Sequence, residues 1–501
     1  MMSHWIIAPV VLPAIIGAFT LLVLRNTLVT ARTVSTAATA ILLAIALYLM
    51  WGASHEGPEA YFLGNWPAPF GIVLVLDRLS ALMVALAAFL ALVVQLYAIG
   101  TGWDAKGRHF HALWQFQLMG ICGAFLTGDA FNLFVFFEVL LIASYGLMIH
   151  GGGRDRLKAG VQYVAYNLVG STLFLLGLAT IYSVTGTLNM ADLAAKLPSL
   201  PEGDAALIRV AGVMLLMVFA IKGALVPLHT WLPATYAQAP GPVSALFAVM
   251  TKVGAYAVIR LYTLAFPADL PATGPLFADL ILAAALITLA VGGLGVLGAR
   301  SLGRLVAFAA VTSMGTLFVA VAQFTPEATA AALYYALHST LAAGALFLLA
   351  DLVLARRGQD RLTAAPRIAQ QGLIAGLFMA AAIAAAGMPP LSGFLGKLLI
   401  LDATRGPWLA VIWSGVLASS FLVILGFAKA GAVLFWKSHA DTTPPAPHAP
   451  QPLAFVAVGA LMAGLVGLTL AAGPVTAWLA TTAAELHDPA AYIAANKLGG
   501  Q

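Results

Sequence analysis

Apolar runs of eighteen residues or more, broken by short stretches of glycine, proline or charge, follow one another from end to end of this chain. A run of that length crosses a hydrocarbon core of about 30 Å as a single helix. Marking the runs and breaks predicts fourteen spans, near 5–24, 33–51, 74–99, 112–128, 130–149, 160–184, 207–238, 242–263, 275–298, 302–323, 328–354, 371–404, 409–436 and 452–480. The fold class is therefore an all-α polytopic membrane protein. Spans 7 and 12 are longer than one crossing and contain Pro227 with Pro233, and Pro389 with Pro390. Proline removes a backbone donor and clashes one turn back, so both spans are expected to break there. Broken helices in corresponding places of two halves are the pattern of a transporter with internal repeats. The two breaks lie five spans apart, and a five-span unit in tandem must have inverted topology; the spacing relates Lys222 to Lys397 and Lys252 to Lys429.

Composition removes the soluble alternatives. Of 501 residues 62% are hydrophobic and 9% charged, against roughly 25% charged in a soluble domain. The net charge of +5 comes from residues in short loops, which read as topology signals and not as a nucleic-acid surface. Lone Cys122 leaves no partner for a disulfide or a CxxC pair, so neither a metal nor a redox cofactor is expected. Met1 to His4 lacks the basic segment of a signal peptide, and Trp5 to Leu24 followed by Arg25 reads as an uncleaved first span.

Lysine and arginine accumulate on the cytoplasmic side of a membrane protein. Loops after odd-numbered spans hold fourteen: Arg25, Arg32, Lys106, Arg108, Arg154, Arg156, Lys158, Arg300, Arg304, Arg356, Arg357, Arg361, Arg367 and Lys437. The opposite side holds six: Arg78, Lys196, Arg209, Arg260, Arg405 and Lys497. Both termini are thereby expected on the non-cytoplasmic side, with the acidic loop of Glu56 and Glu59. Fourteen and six leave four of the 24 basic residues, Lys222, Lys252, Lys397 and Lys429, all inside predicted spans and away from the loops.

An ionisable group at the bilayer centre costs at least about 2.5–3.5 kcal/mol on insertion scales, so it faces the bundle interior and marks a pathway. Glu138, in FNLFVFFEVLLIASYGL, lies too deep for a short carboxylate to reach water. Lys222, in VFAIKGALVPLHTWLP, is its candidate partner, just before the Pro227 break. At about 4 Å and an effective dielectric near 20 such a pair gains roughly 4 kcal/mol, so opening and closing it would unload and load the lysine's proton. Lys252, in FAVMTKVGAYAVIR, lies about eleven residues into span 8, roughly 17 Å along the axis and near the midplane. His338, in LYYALHSTLAAGALF, lies at similar depth and is the residue type suited to a proton relay, with Tyr334, Tyr335 and Ser339 able to bond it or extend the relay. Lys397 follows GMPPLSGFLG, where a break frees carbonyls beside an ammonium. Lys429 sits about eight residues from its span end, within snorkelling reach. His229, at the span 7 break, is placed either to contact the relay or to cap freed carbonyls.

Two apparent motifs carry no chemistry. GLGVLG at Gly293 to Gly298 matches G-x-G-x-x-G but lies within an apolar span with no preceding strand. His109 and His111 read as loop residues without further metal ligands.

The chain resembles the antiporter-like subunits shared by Mrp-type monovalent cation/proton antiporters and respiratory complex I. The likeness covers nearly its whole length and rests on Glu138, on KGALVPLHTWLPATYAQAPGPVSAL leading to Lys252, and on MPPLSGFLGK ending at Lys397. Its length, the basic residue at 397 and the wording HTWLPATYAQAPGPVSALF are most similar to the D-type subunits of Mrp antiporters. Ala234 to Tyr236 depart from the WLPDAH of many relatives, which removes an ionisable exit there.

The resemblance implies repeats formed by spans 4–8 and 9–13. The expected organisation is then a three-span segment (1–110), two repeats (111–265 and 266–440) and a C-terminal span and tail (441–501). It further implies a Glu138–Lys222 pair, Lys252 with His338 as central relay, and Lys397 as terminal carrier. The leading expectation is a proton-translocating, non-enzymatic subunit of a Na⁺ or K⁺/proton antiporter in a bacterial inner membrane, assembled with other membrane subunits. The alternative is a proton-pumping, non-redox subunit of an NADH–quinone oxidoreductase or membrane-bound hydrogenase. A passive scaffold would leave the cost of the buried charges without a purpose.

Overall fold

Each predicted span contains helix in a computed structural model that describes residues 3–437 and 448–496. Lys497 and the boundary at 440/441 lie outside these residues. The helices are α1 (Ala8–Leu22), α2 (Leu28–Glu56), α3 (Arg78–Thr101), α4 (Phe110–Leu126), α5 (Ala130–Met148), α6 (Arg154–Thr185) and a short α7 (Met190–Lys196). Then come α8 (Ala205–Gly223), α9 (Trp231–Gln238), α10 (Gly241–Leu264), α11 (Leu276–Gly298), α12 (Leu302–Val321) and α13 (Pro326–Arg357). The last six are α14 (Gln371–Ala386), α15 (Ser392–Ala403), α16 (Leu409–Gly431), α17 (Pro452–Leu470), α18 (Ala472–His487) and α19 (Ala490–Ala495). Among the described residues eleven helices are long and apolar enough to cross a membrane. Three shorter apolar ones, α1, α4 and α14, fill the remaining predicted spans.

Spans 7 and 12 break as expected. Helix α8 ends at Gly223, Ala224 turns left-handed (φ 54°), and the chain resumes helix at Trp231. Pro233 does not break it: it is the third residue of α9, where the N–H has no partner in the helix to lose. Helix α14 ends at Ala386, Gly387 turns left-handed (φ 78°), and α15 begins at Ser392 after both prolines.

The interior is built around α10, all of whose residues are buried, as befits a helix apolar on every side. It packs against α8, α13 and α3. Helices at the periphery expose large apolar side chains, among them Ile15, Leu168 and Phe421.

Four details differ from the sequence reading. Span 3 starts later: Val73–Leu76 is a strand, β2, paired antiparallel with β1 (Glu59–Phe62). The β-branched VLVL run is apolar enough to merge with a helix, but Asp77 and Ser80 form a capping box that fixes the helix start at Arg78. Span 14 is two helices, α17 and α18. Arg260 is no loop residue; it lies buried in α10 with Asp77. His111 likewise lies inside α4, bonded to Asp104 and Gln95.

Candidate functional site

Glu138, on α5, is half-buried and accepts a hydrogen bond from Ser171 on α6. Lys222 ends α8, where an ammonium suits the negative end of the helix dipole. Its Nζ donates to Asn167 Oδ1 at 2.6 Å and stands 5.6 Å from the centre of the Phe137 ring. Asn167 Nδ2 donates to the Tyr163 carbonyl at 2.7 Å, which fixes the amide with its oxygen toward the lysine. Glu138 and Lys222 are within electrostatic range of each other, yet no ion pair within 4.0 Å joins them among the described residues. The expected direct pair is thus replaced by two neutral groups, Asn167 and Ser171, four residues apart on one face of α6. Each charge is held by a neutral dipole that α6 presents.

Lys252 lies at the heart of α10, 1% exposed, and makes no hydrogen bond among the described residues. Two residues on, Gly254 brings α10 against α8. A Cβ at 254 would stand 2.7 Å from the Phe219 carbonyl oxygen and 3.0 Å from Lys222 Cβ. Only glycine lets the two lysine-bearing backbones meet so closely.

His338, on α13, is buried; its Nδ1 shares a hydrogen bond with Ser392 Oγ at 2.9 Å, at the start of α15. A Cβ at Gly393 would stand 2.8 Å from Nε2, so the second break packs directly on the imidazole. The ammoniums of Lys252 and Lys397 are both within electrostatic range of that ring.

Lys397 donates to the Ala386 carbonyl and to Ser420 Oγ of α16, each at 2.8 Å. Ala386 is the last residue of α14, so this carbonyl is one that the break frees. The first break uses its carbonyls differently: Ile221 accepts from Trp231 Nε1 at 3.0 Å.

The auxiliary candidates divide. Tyr335 lies 5.7 Å from the His338 ring, centre to centre, while Tyr334 donates to the Leu468 carbonyl of α17 at 3.0 Å. Ser339 bonds its own helix at Ala336. His229 is half-buried between α8 and α9, its Nδ1 buried without a partner among the described residues. Lys429 is exposed on α16.

Three further polar groups were not singled out from the sequence. Asp77 pairs with Arg260 through bonds of 2.5 and 2.7 Å, and Arg260 Nε also reaches Tyr256 Oη at 3.3 Å. Asp351 of α13 is buried and accepts from Tyr97 and Trp103. Arg32, Asp104, His111 and Gln95 form a third chain between α2, α3 and α4. Burial works against the Asp104 carboxylate, but hydrogen bonds from His111 and Arg32 outweigh it and hold it down at about 2.

Fold and interior together define a multi-pass helical membrane protein in which ionisable side chains on α5, α8, α10, α13 and α15 are gathered around two helix breaks. Residues 127–426 match the family model described as NADH:quinone oxidoreductase/Mrp antiporter, TM, and the chain belongs to that family. It is 37% identical to the D-type subunit of a probable K⁺/H⁺ antiporter of Rhizobium meliloti (97% of this chain, 96% of that protein). It is also 37% identical to the D-type subunit of a Na⁺/H⁺ antiporter of Bacillus subtilis (99% of each). Among solved structures, a chain of the Mrp complex from Dietzia sp. DQ12-45-1b superposes with a TM-score of 0.89 at 29% identity, covering 99% of both chains. A chain of respiratory complex I from Thermus thermophilus gives 0.79 at 26% identity and full coverage of both.

Proposed function

We propose that this chain is the proton-translocating subunit of a multisubunit monovalent cation/proton antiporter in a bacterial inner membrane, exchanging protons for Na⁺ or K⁺. It acts as a transporter subunit and not as an enzyme, alongside other membrane subunits that cover part of its apolar outer surface. The end rich in arginine and lysine faces the cytoplasm and both termini lie on the other side; the chain divides at 110, 265 and 440, with inverted repeats between. Support comes from the names of the relatives, and above all from one observation: three lysines and a histidine are buried in the interior, two of them seated against the second helix break.

Glu138 and Lys222 form the gate. With Ser171 holding the carboxylate and Asn167 the ammonium, the gate is open. Rotation of Glu138 toward Lys222 to about 4 Å would stabilise the ammonium by roughly 4 kcal/mol at an effective dielectric near 20. Return to Ser171 withdraws that stabilisation and releases the proton toward Lys252. Lys252, which makes no hydrogen bond among the described residues, is the member most able to accept and pass one on. His338 links it to Lys397, whose two neutral acceptors hold an ammonium without trapping it in an ion pair.

Cation/proton exchange by the assembled complex in membrane vesicles is expected to fall to background with Lys222→Ala; full exchange in an assembled variant rejects the mechanism. The likeness to a complex I chain favours a second reading, a proton-pumping subunit of a redox-driven complex, with the same path. Neighbouring genes for small antiporter subunits support the first reading, and genes for iron–sulfur subunits the second.

A further inference from the structure

Asp351 is a buried carboxylate that the proposed path does not use. It lies 13 residues from His338 on the same helix, or roughly 20 Å at 1.5 Å per residue. Its oxygens accept from Tyr97 Oη at 2.8 Å and Trp103 Nε1 at 2.9 Å, and no cation lies within 4.0 Å among the described residues. It also abuts the first residue of α10, since a Cβ on Gly241 would stand 2.7 Å from Asp351 Oδ1. One carboxylate thus joins the N-terminal end of the helix that carries Lys252 to the C-terminal part of the helix that carries His338.

Charge gathers around it. Lys106 and Arg156 lie over the Trp103 ring at 3.4 and 5.3 Å, and His150 bonds the Trp103 carbonyl. Arg356 follows on α13, and Asp360 lies in the loop beyond. Three of these basic residues act electrostatically on or with Asp351 without contacting it.

Two separate cavities lie along α13, one toward α9 and the start of α10 and one in the seam with α12. The first, about 40 Å³, is bordered by Asp351, Asp360, Tyr236, Ser244, Phe347 and Gly303. The second, about 20 Å³, is bordered by Leu346, Ala343, Ser339, His338 and Tyr335 of α13 and by Ser313 of α12. A water needs on the order of 10–15 Å³ and two or more polar partners, and hydroxyls line both spaces. Small residues keep the seam open.

We propose that Asp351 is the proton port of the axis at the basic end. It exchanges protons with the aqueous phase there and, through waters in the α12/α13 seam, with His338. Protonation of the carboxylate by hydronium yields the acid; the acid gives its proton to a seam water, and the imidazole takes one from the other end, with the reverse order for release. The port rests on the proton-path reading above.

The test compares Asp351→Asn, Asp351→Gly and Lys252→Ala in assembled complexes in everted vesicles. Asp351→Asn keeps the shape but cannot carry a proton, and exchange is expected to fall ten-fold or more. Formate added to the medium, a small mobile acid, is expected to restore Asp351→Gly but not Lys252→Ala, which a purely structural role for Asp351 would not produce. Ala343→Leu, which fills the seam and leaves the carboxylate intact, is expected to slow exchange as well. Wild-type exchange in Asp351→Asn or Ala343→Leu, or loss in Asp351→Gly that formate does not relieve, overturns the port. If Lys222→Ala and Lys252→Ala also exchange at the wild-type rate, the path itself has failed and not the port alone.

Discussion

Gly387→Ala puts one methyl group where the second break seats its lysine. The residue has φ 78°, and an added Cβ would stand 2.6 Å from Lys397 Cδ, 2.9 Å from Cε and 3.0 Å from Nζ. The left-handed backbone alone costs about 1–2 kcal/mol with a side chain present. The contacts are closer than van der Waals distance, so the lysine must swing away from the Ala386 carbonyl or from Ser420. Loss of one such charged hydrogen bond is worth about 1.5–3 kcal/mol. At 1.36 kcal/mol per factor of ten, the seat of the ammonium weakens roughly 10- to 150-fold. The assay is sodium- or potassium-driven pH change in vesicles, with co-purification of partner subunits as the check on assembly. Gly376→Ala is the control: the same substitution within α14, the helix that Gly387 follows, with nothing within 4 Å of the new Cβ. We expect Gly387→Ala to assemble and lose exchange by about ten-fold or more, and Gly376→Ala to behave as wild type. Equal rates in the two variants refute the reasoning.

Arg260→Met leaves Asp77 buried without its partner, and detergent-solubilised complex is expected to lose about 3–5 kcal/mol, while Arg260→Met with Asp77→Leu recovers much of it; thermal unfolding of both reads this directly. Lys429→Gln alters an exposed side chain and is expected to leave exchange within about two-fold of wild type, as for other surface changes. Asp129, the cap before α5, is pushed up to about 6 by burial, which outweighs the backbone N–H groups of Asn132 and Phe131. Because its folded-state value exceeds the ordinary one of about 3.9, the folded protein favours the acid form. The stability that this one group contributes is then fully present below about pH 4 and lost as pH rises through 6, by on the order of 2–3 kcal/mol. Asp129→Asn should flatten that profile, and an unchanged slope in melting temperature against pH counts against the assignment.

Helices and breaks were legible in the sequence because length, hydropathy and proline are local properties. Lys222, Lys252 and Lys397 stood out because formal charge is rare in an apolar run. Asn167 and Ser171 did not: an amide and a hydroxyl carry no formal charge, and only the packing of α6 against α5 and α8 shows what they hold. Arg260 was misread as a loop residue, and Asp77 passed unremarked, for a related reason. Each lies close to the end of an apolar run, where a charge ordinarily marks a loop, and their pairing joins residues 183 positions apart. Asp351 was hidden by the arginines that follow it, which made the end of α13 look like a plain membrane edge. The β-hairpin escaped because VLVL suits strand and helix equally until the Asp77 cap is seen.

Lys222 rests on an amide and Lys397 on a carbonyl and a hydroxyl, with Glu138 near one end of the row, and this has a bearing on what can travel among them. A sodium or potassium ion within about 6 Å of a charged ammonium meets about 3 kcal/mol of repulsion at an effective dielectric near 20, and several ammoniums compound it. A proton escapes that toll, since it arrives by converting a neutral amine into the very charge that repels the metal. On the proton-path reading proposed above, the row of lysines would act as a filter as well as a conductor, passing the one cation that needs no room of its own.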